Sequence, residues 1–167
     1  MIDPLTGKNI YESWTGMYAK ASTGLATLRR DGFASMEGDR DGGSLTTRPL
    51  RFSGKHLFVN ANCPAGSLRI EVLDEHENVI APFSLEQCEP LAVDSTLQAV
   101  RWRTGDDLSA LAGRVVRLRF TLRNGSLYSF WISPERTGAS HGFVGAGGPG
   151  FKGAVDDAGI RAYGKRP

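Results

Sequence analysis

Trp131 stands among residues suited to sugar recognition. Arg117 and Arg119 precede it on one alternating run, and Ser129 lies two positions before it on the next. An indole offers a broad, rigid apolar face with a polar rim. Guanidinium forks and hydroxyls beside it are the groups that bond sugar hydroxyls or a carboxylate. Other spacings point to other chemistry. Gly138-Ala139-Ser140-His141-Gly142 fits G-x-S-x-G, but a serine nucleophile needs a sharp strand-to-helix turn in an α/β sheet. Adjacency of His141 to Ser140 does not create the hydrogen bond that such chemistry requires, so a small hydrolase using Ser140 is the weaker reading. Gly145-Ala146-Gly147-Gly148-Pro149-Gly150 fits G-x-G-x-x-G. A dinucleotide site needs a helix N-terminus after that stretch, and Pro149 with its neighbouring glycines forbids one.

Glu37, Asp39 and Asp41 share one polar loop. Their spacing suits a solvated loop, a structural calcium ion or a hydrolytic pair, and departs from the regular EF-hand pattern. No cofactor is otherwise implied. Arg29-Arg30-Asp31-Gly32-Phe33 reads as a turn pinned by an ion pair, with a ligand contact through an arginine fork as the alternative. Trp14 and Tyr18, at helical spacing with Tyr11, sit in a lead-in segment. They read as aromatics against the edge of the core and as outlying candidates for the sugar site.

The elements that must position these residues follow from period. Val116, Leu118, Phe120 and Leu122 alternate with Arg117, Arg119, Thr121 and Arg123; Tyr128, Phe130 and Ile132 alternate with Leu127, Ser129, Trp131 and Ser133. Each run is a half-buried strand. Asn124-Gly125 between them predicts a hairpin. A three-residue loop, Arg123-Asn124-Gly125 with Gly125 left-handed, sets Phe120 opposite Tyr128 and Leu118 opposite Phe130. Trp131 then lies outside beside Arg117, with Arg119 opposite Ser129. A two-residue loop would instead bury Trp131 beside Leu118.

Further strands are expected at 24–30, 33–36, 44–52 (interrupted by Pro49), 56–62, 67–73, 79–83 and 96–103, with a helical turn at 106–112 capped by Asp106 or Asp107. Trp102, in line with Val100, is expected in the core. About nine short strands separated by turn residues predict an all-β, antiparallel sandwich of the jelly-roll kind. It forms one domain, 1–167, with a lead-in at 1–22, the sandwich at 23–133 and an irregular Gly-rich tail at 134–167. Phe143, Phe151 and Tyr163 are candidates to pin that tail.

The chain has 167 residues, 20 Lys and Arg against 18 Asp and Glu, and 21 glycines. A formal charge of +2 gives no reason to expect nucleic acid. No apolar run is long enough to span a bilayer, and no signal peptide is read at the start. The chain is either cytosolic or a module of a longer secreted protein. Cys63 and Cys88, the only cysteines, either form a disulfide or remain thiols. They and the three scattered histidines lack zinc spacing.

Gly24-Leu25-Ala26-Thr27-Leu28-Arg29-Arg30-Asp31-Gly32-Phe33-Ala34-Ser35 resembles a C-terminal β-sandwich of large bacterial proteins. The likeness continues through Gly43 to Leu50, Val59-Asn60, Val100-Arg101-Trp102 and Leu127 to Phe130. Those proteins look like secreted glycoside hydrolases of the family 32 kind, whose catalytic part is a propeller. The resemblance implies a non-catalytic sandwich related to carbohydrate-binding modules, in an extracellular or periplasmic setting. Its partner would be a polysaccharide or oligosaccharide. Alternatively, the domain would serve structurally, packed on a glycoside hydrolase catalytic domain. The resemblance transfers no binding residues.

Overall fold

A computed structural model describes residues 4, 5, 7, 24–105, 107–144 and 150–164. Among them are seven strands: β1 (Met36–Gly38), β2 (Gly43–Thr46), β3 (His56–Asn62), β4 (Ser67–Leu73), β5 (Asp94–Ala99), β6 (Arg117–Arg123) and β7 (Gly125–Ser133). Two 3-10 turns, Ser109–Leu111 and Gly159–Tyr163, are the helical elements. The fold is all-β. One sheet runs β1-β7-β3-β5 and the other β2-β6-β4, and every pairing is antiparallel.

Period-2 patterning decides which side of each sheet is apolar. Leu57, Val59 and Ala61 of β3, Leu68, Ile70 and Val72 of β4, and Leu118, Phe120 and Leu122 of β6 belong to one buried cluster. Phe130 and Ile132 of β7 pack against it. Phe120 and Phe130 meet across the two sheets with ring centroids 4.9 Å apart. Trp102 is in the core as expected, and its Nε1 donates to Ile70 O at 3.1 Å.

The expected hairpin does not form. β6 lies between β2 and β4, and β7 between β1 and β3. Both are interior strands, so neither has an edge to offer the other. Arg123-Asn124-Gly125 instead carries the chain from one sheet to the other. Asn124, not Gly125, takes the left-handed conformation (φ 51°). The Asn124 amide donates to Asp39 O at 2.7 Å, and its Nδ2 to Ala65 O at 3.0 Å. A Cβ at Gly125 would stand 2.6 Å from Asn62 O, which explains glycine there. Phe120 is therefore opposite Ile70 and Leu45, and Phe130 opposite Val59.

A bulge refines the second run. Ser129 pairs with Asn60 and Leu127 with Ala61, leaving Tyr128 as the extra residue. Leu127 consequently joins the core, and Tyr128, expected inside, meets the Arg29 guanidinium 4.8 Å from its ring centroid.

Strands β3 and β4 have the expected bounds. Residues 24–30 form no strand. The run 79–83 is reduced to the bridge Leu73↔Val79, with a cis Ala81–Pro82 bond, and the expected strand 44–52 ends at Thr46, ahead of Pro49, before the bridge Leu50↔Val116. Asp107 Oδ1 accepts from Ser109 N at 2.9 Å just before the first 3-10 turn, whose N-cap is Leu108 and not Asp107; Asp106 lies outside the described residues. The described part of the tail is irregular apart from its 3-10 turn. Phe143 is 76% exposed and does not pin it; Phe151 and Tyr163 do, through Arg30. Cys63 and Cys88 are buried free thiols. No helix among the described residues is long and apolar enough to cross a membrane.

Candidate functional site

The structure separates the residues expected to form the sugar platform. Trp131 and Ser129 face outward on the β1-β7-β3-β5 sheet, whereas Arg117 and Arg119 face outward on the β2-β6-β4 sheet. The hairpin register that joined them is absent. Arg119 is also committed: it donates to Glu71 Oε1 at 3.0 Å and Thr46 Oγ1 at 3.3 Å. Arg117 donates to Thr47 O at 3.1 Å. Trp14 and Tyr18 lie outside the described residues.

Trp131 is neither sealed in the core nor free. It is half-buried, stacked on Phe58 at 5.7 Å and 15°. Its Nε1 donates to Gly138 O at 3.0 Å, so the chain beyond β7 folds back over the indole. A Cβ at Gly138 (φ 75°) would stand 2.8 Å from Phe58 Cε1. Glycine is required at that point on both counts.

Farther along the same outer face, Arg29 is fully engaged. It donates to Asn60 Oδ1 at 2.6 Å and Ala61 O at 3.0 Å, and pairs with Asp94 at 2.5 Å. Asn60 Nδ2 returns a bond to Arg30 O at 2.6 Å. The expected turn is present, with Gly32 N donating to Arg29 O. Its arginines, however, tie residues 29–30 to β3 and to the tail. The ion-pair partners are chiefly Asp94 and Asp156, and Asp31 stands 3.6 Å from Arg30. These arginines are structural, and the ligand-contact alternative has no free guanidinium to use.

The tail's motif is likewise engaged in internal bonds. Ser140 Oγ and Ser140 N both donate to Asp156 Oδ2 at 3.3 Å. His141 Nε2 lies 3.4 Å from Glu135, and no hydrogen bond joins its imidazole to Ser140 among the described residues. Asp39 Oδ1 accepts from Asp41 N and Gly42 N. Glu37 accepts from Ser35 and Ser126, which hold its carboxyl below the usual range. Among the described residues no group of three or more His, Cys, Asp or Glu gathers as a metal site.

One cleft does bring unused chemistry together. It encloses about 280 Å³ beside the His56 end of β3 and is lined by His56, Phe58, Glu89, Arg101, Arg103 and Arg136, among others. Trp102 points inward, so Arg101 and Arg103 on either side of it point out. Backbone bonds fix that strip: Glu89 N donates to Arg101 O and Arg103 N to Gln87 O, both at 2.9 Å. Arg136 arrives from the opposite side, just past β7. Burial lowers the pKa of His56, and Arg136 and Lys55 lower it further, with Asp107 opposing. Arg101, Arg103 and Arg136 are exposed and carry no ion pair or side-chain hydrogen bond among the described residues.

Sequence reasoning missed this cluster. Arg101 and Arg103 were visible as the polar half of an alternation, but nothing in local spacing links them to His56 or Arg136. Comparison with known proteins found no matching family model, no matching curated protein and no matching solved structure.

Proposed function

We propose that the chain is a non-catalytic carbohydrate-binding β-sandwich of the jelly-roll kind, an accessory to a secreted bacterial glycoside hydrolase acting outside the cytoplasm. Support for the sandwich comes from the core shared by both sheets. The jelly roll is supported by the way the chain rolls up: β1 pairs with β7 in one sheet, and β2 with β6 in the other. Bridges Leu73↔Val79 and Leu68↔Leu91 stand beside β4 where a further strand would lie.

The observation that carries the function is the cleft. Three guanidiniums without carboxylate partners among the described residues line one space with His56. Exposed arginines with no internal partner among the described residues offer planar forks to hydroxyl pairs. Trp131 covers Phe58 and does not stand alone as a platform. Affinity electrophoresis on a panel of soluble polysaccharides tests the reading. Retention by at least one glycan, reduced in R101Q or R103Q, is expected; no retention on any glycan would overturn it.

A structural role is the second reading, and one observation favours it. Leu25, Leu28, Phe33 and Met36 are 93%, 60%, 89% and 55% exposed within a single stretch. Such a surface suits contact with a neighbouring catalytic domain. Tight association with that domain, together with an empty glycan screen, would favour this alternative.

A further inference from the structure

We infer that the cleft beside His56 selects an anionic sugar, one bearing a carboxylate or a sulfate ester, over a neutral one; this rests on the carbohydrate-binding reading above. Arg101 and Arg103 enter from the strip after β5, and Arg136 from the segment after β7. The arginines therefore come from two chain segments and are not one exposed run. Three guanidiniums gathered without partners among the described residues repel one another, and an anion seated among them relieves that repulsion. Glu89 is the one carboxylate among the described lining residues and can balance just one of them. His56 adds no full charge at neutral pH, because burial and Arg136 favour its neutral form. It remains a hydrogen-bonding group for a hydroxyl next to the acidic substituent.

Geometry favours a carboxylate or sulfate over hydroxyls alone. A guanidinium matches either group with two parallel N–H···O bonds, and charge-assisted bonds are about twice as strong as neutral ones. The cleft is of the order of one sugar ring in size, so it would take a single acidic residue of a chain.

The test measures binding of the whole chain to polygalacturonate, a sulfated dextran, unmodified dextran and a single-stranded oligonucleotide, by titration calorimetry at low and high salt. Variants R101Q, R103Q and R136Q are compared with R48Q, an exposed arginine outside the cleft. Polygalacturonate or sulfated dextran should bind, with the difference between them identifying carboxylate or sulfate as the preferred group. Each cleft variant should weaken binding by about ten-fold, and R48Q by less than about two-fold. Salt should weaken binding further. Equal binding of unmodified dextran, insensitive to salt, would overturn the anionic preference and leave the carbohydrate-binding reading intact. Equal losses in R48Q and the cleft variants would show diffuse charge attraction and overturn the site. Oligonucleotide binding with the same arginine dependence would overturn the sugar. No binding by any of the four would overturn the inference, and the glycan panel would then decide separately whether the broader reading survives.

Discussion

Arg30 donates from Nη2 to the carboxylate of Asp156 at 2.9 Å, joining residues 126 apart in sequence. Asp156 is fully buried, and Arg30 keeps 24% of its side chain exposed. The same carboxylate accepts from Gly159 N at 2.8 Å, Ala158 N at 3.2 Å and both donors of Ser140. Arg30 also lies over Phe151 and donates to Tyr163 Oη. One ion pair thus fastens the segment before β1 to the segment after β7.

Asp156→Ala should destabilise the chain by about 3 kcal/mol, because it leaves Arg30 and several N–H groups without their acceptor. Asp156→Asn, which keeps the shape and one acceptor, should cost less. Burial alone would raise the Asp156 pKa, yet the Gly159 N–H, Arg30, Ser140 and Ala158 hold it below 3.8. The unfolded chain therefore takes up its proton first as pH falls. The stability contributed by Asp156 is complete above the ordinary carboxylate value and is lost as pH drops through the folded value. Urea midpoints measured from pH 7 to pH 2 should show a shallower acid slope in Asp156→Asn than in the parent.

His56 should behave as a base that folding discourages from charging. Its pKa is lowered first by burial and then by Arg136, with Lys55 adding and Asp107 opposing; Arg101, Arg103 and Glu89 share its cleft. The folded value lies below 6.5, so between those two values the unfolded state binds more protons. Stability is complete above about pH 6.5 and declines as pH falls through the folded value. Nuclear magnetic resonance titration of the imidazole should give a midpoint below that of a free histidine. Arg136→Gln should move the midpoint upward; an unmoved midpoint would separate Arg136 from the cleft.

Trp131→Ala should cost about 2 kcal/mol, since a half-buried indole leaves the Phe58 ring uncovered and Gly138 O without its donor. Trp131→Phe should recover most of the stacking and none of the hydrogen bond. Limited proteolysis distinguishes the two effects. Residues 134–140 should be cut faster in the Ala variant than in the Phe variant if the indole holds the returning chain in place.

The alternation of apolar and polar residues made the strands legible, and β3 and β4 end where the sequence places them. Inward and outward sides of β6 were legible for the same reason. Long-range partnership was not. Asn124-Gly125 carries a hairpin signature, but a turn signal states only that the chain bends, not whether it stays in one sheet. Both strands have their edges taken by β1 to β4, which no local pattern records. Tyr128 was misplaced because a bulge shifts the period by one residue, and a bulge without glycine leaves little trace in composition. The platform of Trp131, Arg117 and Arg119 failed with the hairpin. The cleft escaped notice because His56, Arg101 and Arg136 are adjacent only after folding.

Both thiols should be silent in the folded protein. Cys63 Sγ donates to Leu91 O at 3.4 Å, Cys88 Sγ accepts from Ile70 N at 3.3 Å, and both residues are fully buried. Burial raises the Cys88 pKa, which removes the thiolate that reagents attack. Ellman's reagent should find two thiols in denaturant and react slowly with the native protein. Two thiols reacting at once under native conditions would contradict this burial.

The crossing between sheets at Asn124 should be the most demanding single backbone position in the connection. Its φ of 51° disfavours side chains branched or long at Cβ, and its Nδ2 bond to Ala65 O supports the conformation. Asn124→Gly removes the conformational strain and loses only that bond, so it should cost about 1 kcal/mol. Asn124→Val keeps the strain, loses the bond and adds branching, and should cost about 2 to 3 kcal/mol. If the junction were an ordinary hairpin loop within one sheet, register slippage could relieve the valine variant and the two costs would converge. Equilibrium denaturation of both variants, followed by tryptophan fluorescence, distinguishes these outcomes, because in a Trp14→Phe background Trp102 and Trp131 report on the core and on the outer face of the β7 sheet separately when each is replaced in turn by Phe.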